Sequence, residues 1–545
     1  MLWSENERLH EPPTRSPPHR TATEKPFAKI AGDMDRGSAS GQNPLSRWRE
    51  VLFAWFLVSV AAQAPYLKAY FDPPSGATFV GAFHWIDDVQ NYLSFAEQAE
   101  EGHLLFTNKL YPQPHPAAML GPEFLLTGWL ARILGVDVFV AFRLVGLFGG
   151  LALVAGVDRL LAIAGLPPSH RLPGLLLVCL GGGFGGLLFV ATDVPNARLL
   201  DLFLGFFPFM GFLANSHWTL AGALLVWSVL AWRKQSEGVP WVAIAAGTLL
   251  GLVRPYEPIL LVGMLALANL RDRTQLKRVA MLALGLLPWL VYQLWLSLLV
   301  PAFAFFSRLA YPPYSLTDAA LALGPACILA LLSVHRPGDA EARRLRFQLL
   351  AWSLLSMSAL FIRRPGAQSQ ILTGVGVPLL CLGAIGLSRW RARFTWLAAG
   401  LLSSSFVVMV SIVWKGDPHW FVPAEERRAV LALRPLCREG ETVFAPPSLG
   451  LQVNALTRCR AHASHEVAPD YTAAASRVAA FYRPTTPEVR LRLLDEACAR
   501  YVVLPAGGAN MWLEPSSPFK ESAIIGAGPR AIAIYARPDP PCASR

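Results

Sequence analysis

Residues 138–156 read VFVAFRLVGLFGGLALVAG, a run in which Arg143 is the one charged side chain. An α-helix needs about 20 apolar residues to cross the roughly 30 Å of hydrocarbon in a bilayer. Nearly uncharged stretches of similar length recur along the chain, and so many of them are not expected in a soluble protein. The sequence therefore predicts a polytopic membrane protein. The further stretches are residues 51–71, 172–191, 279–299, 371–387 and 394–414.

The composition supports this interpretation. Hydrophobic residues make up 53% of the chain and charged residues 16%, and the mean hydropathy is +0.39, which excludes an ordinary soluble enzyme. The formal net charge of +11 would suggest a nucleic-acid partner in a soluble protein. Here much of the positive charge lies in short loops between apolar stretches, as the positive-inside rule requires. We therefore expect no nucleic-acid partner.

The basic loops also predict the topology. Residues 1–46 are polar and proline-rich, which is typical of a disordered cytoplasmic tail. Alternating the basic loops with the apolar stretches gives ten or eleven spans, with the N-terminus in the cytoplasm and the C-terminus outside. The count depends on residues 116–134, which we interpret as a helix at the outer interface and not as a span. The cytoplasmic basic segments are 159–171, 233–234, 271–278, 336–346 and 389–393.

This topology divides the chain into three regions, the third of which is residues 415–545. Residues 1–46 form the tail, and residues 47–414 form the membrane domain, whose first outer loop is 72–137. Between the basic residues 233 and 271, a hairpin of two short helices is expected to place the sequence RPYEP, residues 254–258, at its outer tip.

Residues 415–545 change to a soluble α/β pattern, with helices expected at 425–436 and 485–500 and strands at 442–445, 501–504 and 531–535. The fold class is thus an all-α polytopic membrane protein with a small C-terminal α/β domain outside the cytoplasm. Four cysteines lie in this last region without a CxxC pair, which makes a zinc site unexpected. Outside the cytoplasm a disulfide such as Cys437–Cys459 becomes feasible, although the sequence leaves the pairing open.

The sequence HWIDDVQNY, residues 84–92, follows the first span and contains the acidic pair Asp87 and Asp88. Apolar residues at helical spacing continue this motif as an amphipathic helix that ends near Gly102. The stretch YPQPHP, residues 111–116, then predicts a rigid extended turn.

This arrangement resembles the C superfamily of glycosyltransferases, the multi-span enzymes with the GT-C fold that use polyprenyl-phosphate sugars. It is most similar to the bacterial mannosyltransferase and aminoarabinose-transferase-like members. The matching elements are Asp87 and Asp88, the helix 92–102 carrying Tyr92, Pro116, and a second interfacial helix at 124–135. The resemblance implies a transferase that inverts C1 of the sugar, with an acidic residue of the pair as catalytic group.

Two roles remain open for that pair. A carboxylate could act as general base on the acceptor hydroxyl, or the pair could hold a divalent cation, Mg²⁺ or Mn²⁺, as in some members of the superfamily. Alternatively, Asp87 or Asp88 simply caps a helix that begins at Val89.

A phosphate-bearing donor needs cations on the outer face, where few are expected. Arg254 and the pair Arg363 and Arg364 are the candidates, because a guanidinium donates paired hydrogen bonds to phosphate. Snorkelling to lipid headgroups is the alternative for the pair. Glu257 is expected to pair with Arg254, and Tyr92 and His115 complete the predicted substrate-contacting set. His462 and His465 do not have the spacing of a metal site.

The predicted function is transfer of a sugar from a polyprenyl phosphate to a lipid, glycan or protein acceptor, at the outer face of a bacterial inner membrane. The partners are then the lipid-linked sugar, membrane lipid and the acceptor. A transporter or flippase of a lipid-linked intermediate and a non-catalytic scaffold with a periplasmic binding module are the alternatives. The near absence of charge within the spans favours the enzyme.

Overall fold

The structure is a computed structural model that describes residues 44–111, 113–192, 199–235, 237–305, 313–362, 367–505, 513 and 517–539. Arg363 and Arg364 lie outside the described residues, as does most of the predicted cytoplasmic tail. Residues 50–545 form one compact unit.

The chain is a multi-pass, mainly helical membrane protein. Five helices in the described ranges are long and apolar enough to span a bilayer. A bent helix pair adds a sixth candidate, and shorter apolar helices occur at Trp241–Val253, Glu257–Ala268 and Leu316–Leu331. The figure of ten or eleven spans therefore stays a prediction. The five long candidates are Ser46–Phe71, Val138–Ile163, Arg273–Leu299, Gln368–Leu387 and Ala392–Lys415.

The helices are numbered in chain order, leaving out single 3₁₀ turns. They are α1 Pro44–Phe71, α2 Ile86–Glu100, α3 Pro122–Leu134, α4 Val138–Ile163, α5 Arg171–Leu180, α6 Gly185–Ala191, α7 Leu200–Phe203, α8 Pro208–Leu213, α9 Ser216–Lys234, α10 Trp241–Val253, α11 Glu257–Ala268, α12 Arg273–Leu299, α13 Pro301–Ala304, α14 Leu316–Leu331, α15 Ala340–Ser358, α16 Ala367–Leu372, α17 Gly376–Leu387, α18 Ala392–Leu402, α19 Ser404–Lys415, α20 Ala424–Leu433, α21 Pro447–Leu456, α22 Tyr471–Tyr482 and α23 Pro487–Glu496.

The apolar stretch 172–191 was expected to be continuous, but it is broken between α5 and α6 with a bend of 66°. The break falls on consecutive glycines, each of which disfavours a helix by about 1 kcal/mol relative to Ala. The buried Asp201 carboxylate stabilises the break, because its Oδ2 accepts from the backbone N–H of Gly183 at 2.8 Å and of Gly185 at 3.1 Å. The Ser405 hydroxyl donates to the same oxygen at 2.6 Å.

The first loop, residues 72–137, contains the two predicted helices, α2 and α3. They cross closely at Gly128, where an added Cβ would lie 2.4 Å from the backbone oxygen of Ala96 and the backbone nitrogen of Glu100. With 13 residues, α3 is only about 20 Å long, too short to cross the hydrocarbon. Trp129 and Ile133 are exposed on its surface, the latter at 78%, as expected for a helix in the membrane interface.

The C-terminal domain contains the expected small sheet. Strands β1 Ala77–Phe79 and β2 Phe421–Pro423 pair antiparallel and tie the first loop to the start of this domain. The main sheet has the order β4-β3-β5-β7-β6, with β3 parallel to both β4 and β5, and β7 antiparallel to both β5 and β6. These strands are β3 Thr442–Phe444, β4 Arg460–Ala461, β5 Ala499–Pro505, β6 Lys520–Ile525 and β7 Ile532–Ala536.

Helices cover both faces of this sheet. Val443 and Phe444 are neighbours on β3, so their side chains point to opposite faces of the sheet. Val443 lies in a core with α20 and α21, and Phe444 lies in a second core with α22 and α23. The first core also contains Val89 and Leu93 of α2, so the C-terminal domain rests directly on the loop helix. The disulfide Cys437–Cys459 is present, and Cys498 is also disulfide-bonded.

Candidate active site

The acidic pair lies in the first turn of α2 but does not cap it. The helix begins at Ile86, and its N-cap residue, Trp85, has a left-handed backbone (φ 51°, ψ 49°) with no side-chain capping hydrogen bond. The expected start at Val89, with Asp87 or Asp88 as cap, is therefore wrong. A left-handed non-glycine residue is uncommon and occurs preferentially where a structure constrains a functional site. In the first turn of α2, Asp87 and Asp88 still interact favourably with the helix dipole, which typically stabilises a helix by about 0.3–1 kcal/mol.

Asp88 is held by a residue of the C-terminal domain. His465 Nε2 lies 3.2 Å from Asp88 Oδ1, and His465 is 4% exposed. Its other ring nitrogen, Nδ1, accepts from the backbone N–H of Val467 at 3.2 Å. Because Nδ1 is an acceptor, the N–H that faces Asp88 is on Nε2, and it donates to the carboxylate.

Asp87 has a different environment. Its side chain is half-buried, and burial raises the pKa of its carboxyl above the ordinary value; His465 opposes the rise, whereas Glu466 and Asp88 add to it. A carboxylate with a raised pKa is a better proton acceptor than an ordinary one. Of the two residues, Asp87 is thus the one suited to take a proton, and Asp88 is the one fixed by a partner.

Tyr92, one turn further along α2, connects the loop to the membrane domain. Its ring stacks on Phe124 of α3, with centroids 5.7 Å apart, and meets the edge of His217 at the start of α9 at 5.1 Å. In the described part of the chain, the buried Nδ1 of His217 has no hydrogen-bond partner. A buried polar atom of this kind calls for a ligand or a water molecule.

Arg254 follows α10 directly and lies within electrostatic range of His217. The guanidinium is 3.3 Å from Glu257, so the predicted pair is present. Its Nη2 also donates to the backbone oxygen and the side-chain oxygen of Gln370, at 3.0 and 2.9 Å. Both members of the pair are about 5% exposed or less, and no residue that the structure describes forms a hydrogen bond with Glu257 Oε2.

The remaining predicted residues fall elsewhere. His115 holds its own loop together, because Nε2 accepts from the Asn108 backbone N–H and Nδ1 lies 2.9 Å from the Gln113 carbonyl. Its contact with substrate stays a prediction. In the described ranges, no group of three or more His, Cys, Asp or Glu side chains is arranged to hold a metal ion.

Sequence reasoning considered His465 only as a metal ligand and did not find its contact with Asp88. The two residues are 377 positions apart, and nothing in the local pattern around either one indicates the other. Lys109 was missed for the same reason: its ammonium group pairs with Glu97 at 2.9 Å and donates to carbonyl oxygens of Asn454 and Thr457 in the C-terminal domain.

No family model matches the sequence, and no curated protein matches it. Among solved structures, the chain is similar to an oligosaccharyltransferase from Archaeoglobus fulgidus, with 14% identity, a TM-score of 0.53 and coverage of 91% of this chain and 74% of the other. It is also similar to the arabinofuranosyltransferase AftD from Mycobacteria, with 18% identity and a TM-score of 0.56. The matched region is 91% of this chain and 42% of AftD, which is the longer protein.

A third similar structure is ArnT from Cupriavidus metallidurans, solved with bound undecaprenyl phosphate. The identity is 12%, the TM-score 0.51, and the coverage 92% of this chain and 98% of ArnT. These likenesses show that the chain has the fold of these proteins, as the resemblance of the first loop implied.

Proposed function

We propose that the chain is a glycosyltransferase that transfers a sugar from a polyprenyl-phosphate donor to an acceptor outside the cytoplasm. Two of the proteins that share its fold are transferases by name, and the third, ArnT, holds undecaprenyl phosphate. The observation that carries the proposal is the acidic pair: Asp87 has a raised pKa, neither residue caps α2, and Asp88 is fixed by His465.

In the proposed reaction, the acceptor hydroxyl oxygen attacks C1 of the sugar. Its proton passes to the Asp87 carboxylate, the new C1–O bond forms, and the bond from C1 to the phosphate oxygen breaks. The electron pair of the broken bond leaves with the polyprenyl phosphate, and attack from the opposite side inverts C1. A positioned base typically contributes a factor of about 10²–10⁴ to such a step.

Asp88 and His465 position the base. The Asp88 carboxylate, fixed by a buried donor, lies beside Asp87 and adds to the rise in the pKa of Asp87 that burial causes. His465 thereby links the C-terminal domain to the chemistry in the first loop.

Arg254 is the described residue that we assign to the donor phosphate. Its guanidinium is oriented by Glu257 and Gln370, which leaves part of its planar fork for an oxyanion. The unpaired Nδ1 of His217 adds a second polar group nearby. Arg363 and Arg364 remain predicted contributors to the same site.

The described residues fit a divalent cation poorly. Asp88 already accepts an N–H from His465, and in the described ranges no third ligand with suitable geometry accompanies the pair. The proposed step therefore uses no metal. The cation expected at Asp87 and Asp88 stays a prediction, tested by comparing turnover in EDTA with turnover in added Mg²⁺ or Mn²⁺.

We further propose that the reaction occurs on the outer side of a bacterial inner membrane, with the N-terminus in the cytoplasm. The basic-loop pattern supports this orientation. So does the Cys437–Cys459 disulfide, because disulfides persist in oxidising compartments.

The direct test uses the purified full-length chain and a panel of undecaprenyl-phosphate sugars, each offered with envelope lipid extract as acceptor. We expect undecaprenyl phosphate to be released from at least one donor at a rate that depends on the acceptor. Failure with every donor, by protein that remains folded, would overturn the assignment.

A further inference from the structure

A cavity of about 780 Å³ lies between the C-terminal domain and the end of α2 with the segment that follows it. Its volume is within the range of about 300–1,000 Å³ that is usual for small-molecule sites. Glu97 lies ten residues beyond Asp87, so about 15 Å of helix separates this cavity from the acidic pair. It is therefore a separate site.

The floor of the cavity is rigid. The Gln98 side chain bonds to Thr107 through both its oxygen and its nitrogen, and the Asn108 amide donates to the Ala302 carbonyl at 2.7 Å. Lys109 is fixed by Glu97 and by carbonyl oxygens of the C-terminal domain. These groups have their partners already and shape the cavity without needing a ligand.

One acceptor in this floor has no partner among the described residues. Lys109 binds Glu97 Oε2, whereas Glu97 Oε1 is buried and makes no hydrogen bond with them, in a residue that is 1% exposed. A buried carboxylate oxygen without a donor is costly. A hydroxyl group of a bound ligand would supply the missing donor.

The Cys437–Cys459 disulfide gathers three arginines at the rim. Arg438 follows the first cysteine, and Arg458 and Arg460 flank the second, whose Cα lies 5.2 Å from that of Cys437. Arg458 pairs with Glu101. In the described part of the chain, no carboxylate forms an ion pair with Arg438 or Arg460.

Arg460 is half-buried, and its one side-chain hydrogen bond in the described ranges is to the Thr442 hydroxyl at 3.1 Å. Burial lowers the pKa of its guanidinium. A buried guanidinium without a carboxylate is stabilised when an anion binds.

We propose that this cavity binds an anionic saccharide, whose hydroxyl groups donate to Glu97 and whose carboxylate or phosphate accepts from Arg460 and Arg438. Under the proposed function, on which this identification rests, the saccharide is the polar headgroup of the acceptor. It is held about 15 Å along α2 from the transfer site. The cavity thus selects the acceptor by charge, at a distance from the reacting hydroxyl.

Binding is measured by calorimetry with the purified full-length protein, using trigalacturonate as probe. Its methyl ester serves as the neutral match, and inorganic phosphate as the plain anion. We expect trigalacturonate to bind, and its methyl ester and phosphate each to bind at least 10-fold more weakly. No binding of trigalacturonate, or equal binding of either comparison probe, would contradict the proposal.

The variants Arg460→Gln and Arg438→Gln should each weaken trigalacturonate binding about 10-fold, whereas Arg492→Gln, at an exposed arginine outside the cavity, should not. Equal losses in all three variants would mean non-specific charge attraction and would overturn the site. If Arg460→Gln lowers thermal stability, trigalacturonate binding by Arg438→Gln still tests the site, because Arg438 is exposed. Asp87→Asn should bind the probe normally, so that an inactive enzyme and an absent saccharide site give different results.

Discussion

Asp87 and Asp88 are neighbours in sequence with different environments. Asp88 accepts a hydrogen bond from His465, and Asp87, half-buried beside it, has the raised pKa. Neither residue caps the helix, since Trp85 occupies that position. The difference between them can therefore be measured as a difference in catalysis.

We expect Asp87→Asn to lower transferase turnover about 100-fold or more, because an amide cannot take the proton. Asp88→Asn should cost about 10-fold, because the amide oxygen still accepts from His465. Thermal stability should change little in either variant. Full turnover in both single variants and in the double variant would exclude the base role and leave the pair as a favourable charge at the helix start.

The pH profile provides a second test of Asp87. The base must be ionised to act, and burial raises its pKa above the ordinary aspartate value of about 3.9. Turnover should therefore fall on acidification at a pH above that value and stay high at neutral pH. A kcat/KM profile that is flat down to pH 4 in folded enzyme would contradict this assignment.

His465 should act through Asp88. We expect His465→Ala to lower kcat about 10-fold with an unchanged KM for the donor, and His465→Gln, whose amide N–H can reach the same carboxylate, to recover most of the loss. In the double variant Asp88→Asn with His465→Ala, the two effects should not add. Additive losses would mean that the histidine acts only on the stability of the domain.

At the level of elements, the two helices of the first loop show what could be predicted from the sequence and what could not. Helical spacing predicted α2, whereas the basic-loop pattern and the resemblance predicted α3. Gly102, at φ 105°, lies two residues beyond the end of α2, close to where that end was expected. The start of α2 was misplaced because an aspartate looked like a cap, and a left-handed Trp85 has no sequence signal. The break at residues 181–184 was missed because hydropathy does not register three glycines as an interruption.

The crossing of these helices depends on Gly128. We expect Gly128→Ala to destabilise the protein by about 1–3 kcal/mol or more, because its Cβ would meet the backbone of α2. Gly324→Ala in α14, where an added Cβ has no neighbour within 4 Å, is the matched control and should be neutral or stabilising. Melting curves in detergent check both variants, and equal melting temperatures would show that the crossing can relax.

At the level of the whole molecule, the sequence predicted the membrane class and the α/β character of the C-terminal domain. It did not predict how the domain meets the loop, because the contacts join residues hundreds of positions apart. Arg427 pairs with Asp137 at 3.2 Å and Arg434 with Glu100 at 2.8 Å. Such pairs follow from tertiary packing, and no local periodicity indicates them.

The topology itself is testable. Single cysteines at His103 in the first loop and at Ser476 in the C-terminal domain should react with a membrane-impermeant maleimide in whole spheroplasts, whereas one at Ala340 should not. In the parent protein for these variants, the cysteines that form no disulfide are first replaced, so that the reagent does not label Cys327. Protection of either outer site would contradict the orientation and with it the proposed active site.

The contact between Asp88 and His465 also has a consequence for the order of synthesis. At about 5–20 residues per second, the 377 residues that separate the two take roughly 20–75 s to translate. During that interval the first turn of α2 lacks its histidine, and Lys109 lacks the carbonyl groups of Asn454 and Thr457. A nascent or truncated chain that lacks residue 465 should therefore be no faster than the His465→Ala variant, and full turnover should require the C-terminal domain.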